Sequence, residues 1–393
     1  MERATVDKAV KKGSGTAGLD SAPDRDGEWV ARIQERLVGW YLSARRTLPW
    51  RADRDAYRIL VSELMLVQTT VTAVIPFFER FLRRFPDIRS LAEADEAEVL
   101  KVWEGLGYYR RARQLHAAAR QVVREHGGTI PDDPVAVRAL PGVGRYIAGA
   151  VLSFAFNRPE PIVEANSQRV LARLLALRED VKASATRERI WQAAQRLVPD
   201  QGPGDFNQAL MDLGALVCTP RRPRCLLCPL TELCRARQQG LQDEIPLSTP
   251  KPPPAVVTES CAVVLGQGKV LIVQRGLGRL WEQFWEFPTI HVGGADPAGR
   301  SFGAPIELAD GVRRLTGIRA DIGPHLTDIR YSVTNHRATL QVYRANARAG
   351  ALEPGPGLVD ARWVEPARLG EEAFSSAGRR LIAWLARDPG RLA

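Results

Sequence analysis

The tightest constraint on this 393-residue chain is a cluster of cysteines: Cys218, Cys225, Cys228 and Cys234 follow one another as C-x6-C-x2-C-x5-C. Four thiolates on one short loop can enclose a single metal centre, and such a set suits either a [4Fe–4S] cluster or tetrahedral zinc. Structural zinc usually takes two paired CxxC knuckles, whereas here one CxxC is flanked by wider arms. Arg221, Arg222 and Arg224 lie inside the first arm. A metal that pins this loop holds three guanidinium groups on a fixed surface where they can meet phosphates; without it they are a solvated charged loop. The spacing is unlike an extracellular disulfide framework, so a reducing cytoplasm is the expected setting. Cys261 stands apart on a predicted strand and reads as a small core residue.

The length exceeds the usual size of one hydrophobic core, which predicts two domains plus flexible segments. Lys and Arg number 55 against 45 Asp and Glu, a net charge of +10 that favours polyanionic partners. The longest apolar stretches, such as Ile147 to Phe156, fall far short of the roughly 20 residues of a bilayer span, so no membrane anchor is expected. Residues 1–28 lack an apolar signal region and read as a disordered tail.

From Trp29 to Gly240 the apolar spacing is helical. Between Tyr57 and Phe81, Leu60, Leu64, Val67, Val71, Val74 and Phe78 recur at three- and four-residue steps. Breaks are predicted at Pro86, Gly127-Gly128, Pro131 to Pro134, Pro159 to Pro161 and Gly202 to Gly204. Residues 241–257 carry Pro246, Pro250, Pro252, Pro253 and Pro254 and read as a linker. Over 258–390, Ser260 to Val264, Val270 to Gln274 and Thr339 to Tyr343 read as strands, and Pro305 to Leu315 and Ser375 to Ala386 as helices. The expected fold is therefore multidomain, an all-α domain at 29–240 followed by an α+β domain.

Leu140-Pro141-Gly142-Val143-Gly144-Arg145-Tyr146 joins two helical segments. Gly142 and Gly144 allow close approach of the backbone, and the helix opening at Arg145 presents free N–H groups to an anion. This is the build of a helix–hairpin–helix that grips a DNA phosphate.

The hairpin, the cysteines, Ser62-Glu63-Leu64-Met65-Leu66, Gly105 to Tyr109 and Asn207 to Gly214 together resemble the MutY family of adenine-DNA glycosylases, relatives of endonuclease III, from about Leu48 to Cys234. The resemblance implies a monomer acting on duplex DNA that holds adenine mispaired with 8-oxoguanine, a [4Fe–4S] cluster on the four cysteines, and a nucleotide flipped out of the stack. It assigns Glu63 as the general acid that protonates adenine N7, a task for a carboxyl in an apolar surround such as Leu64, Met65 and Leu66 would give. It also implies a second carboxylate that steadies oxocarbenium character on the sugar. The family has Asp-Gly-Asn there and this chain has Glu164-Ala165-Asn166, so the carboxylate sits on a stem one methylene longer.

Tyr146 occupies the place where endonuclease III relatives carry a Schiff-base lysine, which implies a monofunctional glycosylase; Tyr146 either joins the carboxylate site or packs in the core. Gln68 and Tyr108 match residues that enter the duplex, with Val67 in place of a neighbouring family glutamine. Arg110, Arg111 and Arg113 suit phosphate contact or ordinary helix surface. The second domain resembles the Nudix-like, 8-oxoguanine-recognising domain of the same family through Leu280-Trp281 and Trp285 to Pro288, with Thr334, Asn335 and His336 as its recognition loop. Arginines stand at 313 and 314, where a Nudix hydrolase needs magnesium-binding carboxylates, so no nucleotide hydrolysis is expected. Two other readings remain open: a glycosylase with another target, such as thymine in a G·T mismatch, and a damage-binding protein whose catalysis has lapsed at Glu164.

Overall fold

The computed structural model describes residues 23–249, 253–276, 278, 281–291, 304–333, 335–388 and 390. Its helices are α1 (Pro23–Ala44), α2 (Ala56–Leu66), α3 (Val71–Arg84), α4 (Ile88–Glu93), α5 (Glu96–Trp103), α6 (Arg110–His126), α7 (Pro134–Ala139), α8 (Arg145–Phe156), α9 (Ala165–Leu174), α10 (Ser184–Leu197), α11 (Pro203–Leu216), α12 (Arg235–Gln238), α13 (Ala304–Thr316) and α14 (Ser376–Ala386). The strands are β1 (Ala255–Gly266), β2 (Lys269–Arg275), β3 (Trp285–Glu286), β4 (Thr289–His291), β5 (Arg319–Val333), β6 (His336–Ala349) and β7 (Leu358–Val364). No helix among the described residues is long and apolar enough to cross a membrane. The chain divides into two compact units, one of residues 1–46 and 157–248, the other of residues 47–156 and 249–393.

The helices start and stop where backbone chemistry dictates. Asp55, Asp87 and Asp133 accept amide hydrogens at the starts of α2, α4 and α7, and Pro134 and Pro203 open α7 and α11 where a missing N–H costs nothing. Gly127, at φ 62°, closes α6 in the left-handed conformation. Of the residues expected as a tail, 23–28 belong to helix α1, which begins at Pro23, and 1–22 lie outside the described residues. The run of helical periodicity from Tyr57 to Phe81 proves to be two helices, since α2 ends at Leu66 and Gln68 turns into the left-handed region at φ 60°.

In the first unit, α1, α9, α10 and α11 close around Ile33, Leu37, Leu171, Ile190, Phe206 and Leu213. Leu230 and Leu233 from the cysteine loop join that core. Ile245, in the segment expected as linker, is buried there too.

The second unit contains the helical layer α2–α8 and the sheet. Phe78, Phe81, Leu91, Trp103, Leu115 and Val151 fill the helical core. The sheet runs β3-β2-β1-β6-β5, with β4 also on β1 and β7 also on β2; β1 and β6 are parallel and β5 and β6 antiparallel. Alternate residues of β1 face opposite ways. Cys261 and Val263 pack with Leu381 and Leu385 of α14, whereas Ala262 and Val264 pack with Leu308 and Val312 of α13. Cys261 is thus the small core residue expected. Strand β5 escaped sequence reading because Gly323, Pro324 and several charges interrupt its pattern; it is an edge strand, where shifts of register between Ile322 and Thr327 accommodate the proline. The helical layer meets the sheet domain through Tyr109 against Phe284, 4.1 Å between ring centroids, and through Arg113, which pairs with Glu96 and with Glu282 at 2.8 Å.

Candidate active site and metal centre

In the second unit, α2 lies against α8. Glu63 projects from α2 with 2% exposure, and Tyr146, the second residue of α8, donates its hydroxyl hydrogen to Glu63 Oε2. The chain neighbours Leu64 and Met65 turn into the helical core. The burial of Glu63 therefore comes from the seating of α2 on α8. Ahead of Tyr146, Gly142 sits at φ +79° with Gln114 so near that a Cβ would come within 2.7 Å of it, so only glycine fits. A Cβ on Gly144 would meet nothing within 4 Å, and Gly144 and Arg145 are exposed. The hairpin thus offers an open backbone surface at the start of α8.

Gln68 and Tyr108 occupy two loop tips of this unit, both in left-handed backbone, φ 60° and 51°, and both exposed. The arginines after Tyr108 divide in their roles. Arg110 is exposed. Arg111 is buried and bonded to the carbonyls that end α2, and Arg113 is held by Glu96 and Glu282. Phosphate contact by the latter two is ruled out by those bonds. Asn335 and His336 lie exposed at the turn of the β5–β6 hairpin, which pairs up to Val333 and His336. Thr334 and Leu280 lie outside the described residues.

In the first unit, Glu164 caps α9. Its carboxylate accepts from the amides of Asn166 (2.7 Å) and Ser167 (2.8 Å), while Ser167 Oγ accepts from the Glu164 amide (2.8 Å). The longer stem curls back, so both oxygens are anchored on the helix start. Burial pushes this carboxyl above its ordinary range, against the pull of the two amides and of Arg169. Asn166 Oδ1 accepts from Arg169 Nη2 at 2.9 Å, and Arg169 also donates to the carbonyls of Cys218 (2.8 Å) and Gly214 (2.8 Å). The Asn207–Gly214 segment of α11 is a brace: Asn207 donates to Glu160 O, Gln208 accepts from the Tyr41 hydroxyl, Asp212 holds Arg46 at 2.6 Å, and Gly214 leaves room for Asn166.

The four cysteine thiols line one recess open to solvent, and none is in a disulfide. Among the described residues no set of three or more His, Cys, Asp or Glu closes on a single ion. Four thiols around a recess, rather than around a point, fit a multi-iron cluster better than zinc. Arg173 donates to Cys218 Sγ at 3.2 Å and to the carbonyl of Thr219 at 2.8 Å, fixing the loop entrance. Burial pushes the Cys225, Cys228 and Cys234 thiols up, Cys228 to about 12, so binding of iron must displace their protons. Arg221 and Arg222 are exposed on the loop. Arg169 and Arg173 were not singled out in the sequence, although their i, i+4 spacing on the buried stripe of α9 was the available signal.

This assembly is that of the helix–hairpin–helix DNA repair class. Residues 61–196 match the family model of the HhH-GPD superfamily base excision DNA repair proteins, residues 218–234 that of the iron–sulfur binding domain of endonuclease III, and residues 260–384 that of the NUDIX domain. The adenine DNA glycosylase of Rattus norvegicus is 33% identical over 405 residues, covering 90% of this chain and 78% of the rat protein. That of Homo sapiens is 33% identical over 427 residues, 93% of this chain and 76% of the human protein. That of Schizosaccharomyces pombe is 40% identical over 231 residues, 53% of this chain and 50% of the yeast protein. The chain belongs to the adenine DNA glycosylase family. Cys218, Cys225, Cys228 and Cys234 are the ligands that suit its [4Fe–4S] cluster.

Proposed function

We propose that this chain hydrolyses the N-glycosyl bond of adenine mispaired with 8-oxoguanine or guanine in duplex DNA, working as a monomer in the cytoplasm, on the nucleoid if the source is bacterial. The observation that carries this reading is the bond between buried Glu63 and half-buried Tyr146. Glu63 donates a proton to N7 of the flipped adenine; the bonding pair of the C1′–N9 bond leaves with the base, which departs neutral. Glu164 stabilises the oxocarbenium character left on the sugar, water adds at C1′, and its surplus proton is lost to solvent or a carboxylate. Asn166 orients this carboxylate or the sugar. Tyr146 supplies no amine, so β-elimination through an imine has no nucleophile.

Gly142, Gly144 and Arg145 hold a phosphate on the hairpin, and Gln68 and Tyr108 enter the base stack. Thr334, Asn335 and His336 read the 8-oxoguanine. The [4Fe–4S] cluster, when bound, orders the loop that carries Arg221, Arg222 and Arg224 and contributes nothing to bond cleavage. Single-turnover adenine release from a duplex with adenine opposite 8-oxoguanine, beside an A·G and a G·T duplex, tests the reading. Tight duplex binding without release of any base would sink it.

A further inference from the structure

Arg111 is 7% exposed, on the first turn of α6, and among the described residues no carboxylate pairs with it. Its Nη1 donates to the carbonyls of Leu64 (2.8 Å), Met65 (2.9 Å) and Val67, and its Nη2 to Thr69 Oγ1 (3.2 Å). Burial brings the guanidinium down to about 10. The charge is balanced by carbonyls that the last turn of α2 leaves without helical partners, the negative end of that helix. On its other side the guanidinium lies 4.7 Å from the Tyr108 ring centroid and 5.9 Å from that of Trp103. One planar group therefore touches both loops whose tips are Gln68 and Tyr108.

Those tips share an energetic problem. Left-handed backbone is unfavourable at a residue other than glycine, because Cβ crowds the following carbonyl. Neither tip is a glycine, and each persists only where surrounding contacts hold it. Arg111 bonds the residues on both sides of Gln68, namely Val67 and Thr69, and stacks on Tyr108 itself. A lysine could keep the charge but not the fork or the stacking plane.

We propose that Arg111 is a positioning residue that locks Gln68 and Tyr108 into one preformed wedge, and so sets how strongly the protein prefers a lesion-containing duplex over an undamaged one. The inference rests on reading Gln68 and Tyr108 as the residues that enter the base stack. It places no demand on phosphate contacts, which belong to other residues.

The test uses the full chain with its cluster and four variants, Gln68→Ala, Tyr108→Ala, Arg111→Lys and Arg111→Met. Affinities for a duplex with adenine opposite 8-oxoguanine and for the matched undamaged duplex are measured across salt concentrations, with 2-aminopurine fluorescence beside the lesion reporting unstacking. Expected is a loss of about tenfold or more in the lesion-to-undamaged affinity ratio for Arg111→Met, as for the two tip variants, with diminished 2-aminopurine signal and an unchanged salt slope. Arg111→Lys restores little of it. A merely structural role would lower the melting temperature and weaken both affinities together, leaving their ratio intact; that result overturns the proposal. Failure of both Arg111 variants to fold would do the same, by assigning the residue to the stability of the helical layer. An unchanged ratio in both tip variants would instead remove the reading of Gln68 and Tyr108, and the proposal with it, while adenine release by the parent chain still stood.

Discussion

The Tyr146 hydroxyl donates to Oε2 of Glu63 across the α2–α8 contact. This bond fixes how the carboxyl is turned. Tyr146→Phe is expected to lower the single-turnover rate of adenine release about 10- to 100-fold, because a general acid works only when its proton is aimed. Duplex affinity should stay within about twofold of the parent, since the loss lies in the transition state. An unaltered rate would make the bond a packing feature.

Glu164 separates into a cap and a charge. Glu164→Gln keeps an oxygen for an amide of α9 but removes the negative charge, so adenine release should fall about 100-fold or more while the melting temperature below pH 4.5 hardly moves. The pH dependence has a definite sign. Burial raises the folded-state pKa of this carboxyl above its ordinary 4.5. Its contribution to stability is therefore complete below that value and is lost as pH rises through the folded pKa. Glu164→Gln should gain stability relative to the parent as pH rises above 4.5 through the folded-state pKa, and the parent's adenine release should climb with pH as the carboxyl ionises. Melting curves of the pair at several pH values check the first point; a constant difference would contradict it.

Two glycines make a contrasting pair. A Cβ on Gly214 would lie 2.7 Å from Asn166 Cβ and 3.0 Å from its carbonyl oxygen, whereas one on Gly144 would meet nothing within 4 Å. Gly214→Ala should destabilise the protein by about 1–3 kcal/mol and slow adenine release, as overpacking displaces the start of α9. Gly144→Ala should leave the melting temperature unchanged but weaken duplex binding, if a phosphate sits against that backbone. Calorimetry with a binding titration distinguishes the two.

Cys228→Ser removes one thiolate from the recess. Iron and sulfide content should drop, and Arg221 and Arg222 should lose their fixed placement. Duplex affinity should then weaken with a shallower dependence on salt, each lost phosphate contact reducing the slope by about 0.9. A variant that loses its iron yet binds duplex DNA with an unchanged slope would show that the arginines need no cluster.

Features carried by local chemistry were legible in the sequence. The cysteine spacing, the Gly-Val-Gly hairpin and the proline and glycine breaks act within a few residues, and each is found at its place. The turn after α2 was missed because its support is remote: Arg111, more than 40 positions along the chain, satisfies the carbonyls that a continuing helix would have used. For Arg111 and Arg113 the sequence offers phosphate contact or helix surface for the same reason, since their partners, the end of α2 and Glu282, come close only after folding. Glu164 shows the limit in another form. Its longer stem suggested a displaced carboxylate, yet rotation about one more bond returns both oxygens to the amides of Asn166 and Ser167.

Tyr108 and Tyr109 are consecutive, but their rings have different fates: Tyr108 is 50% exposed over Arg111, and Tyr109 packs at a tilt of 50° against Phe284 of the sheet domain. A single peptide bond thus joins a ring offered to solvent to a ring seated on the sheet domain, so the place of the first is referred to the second.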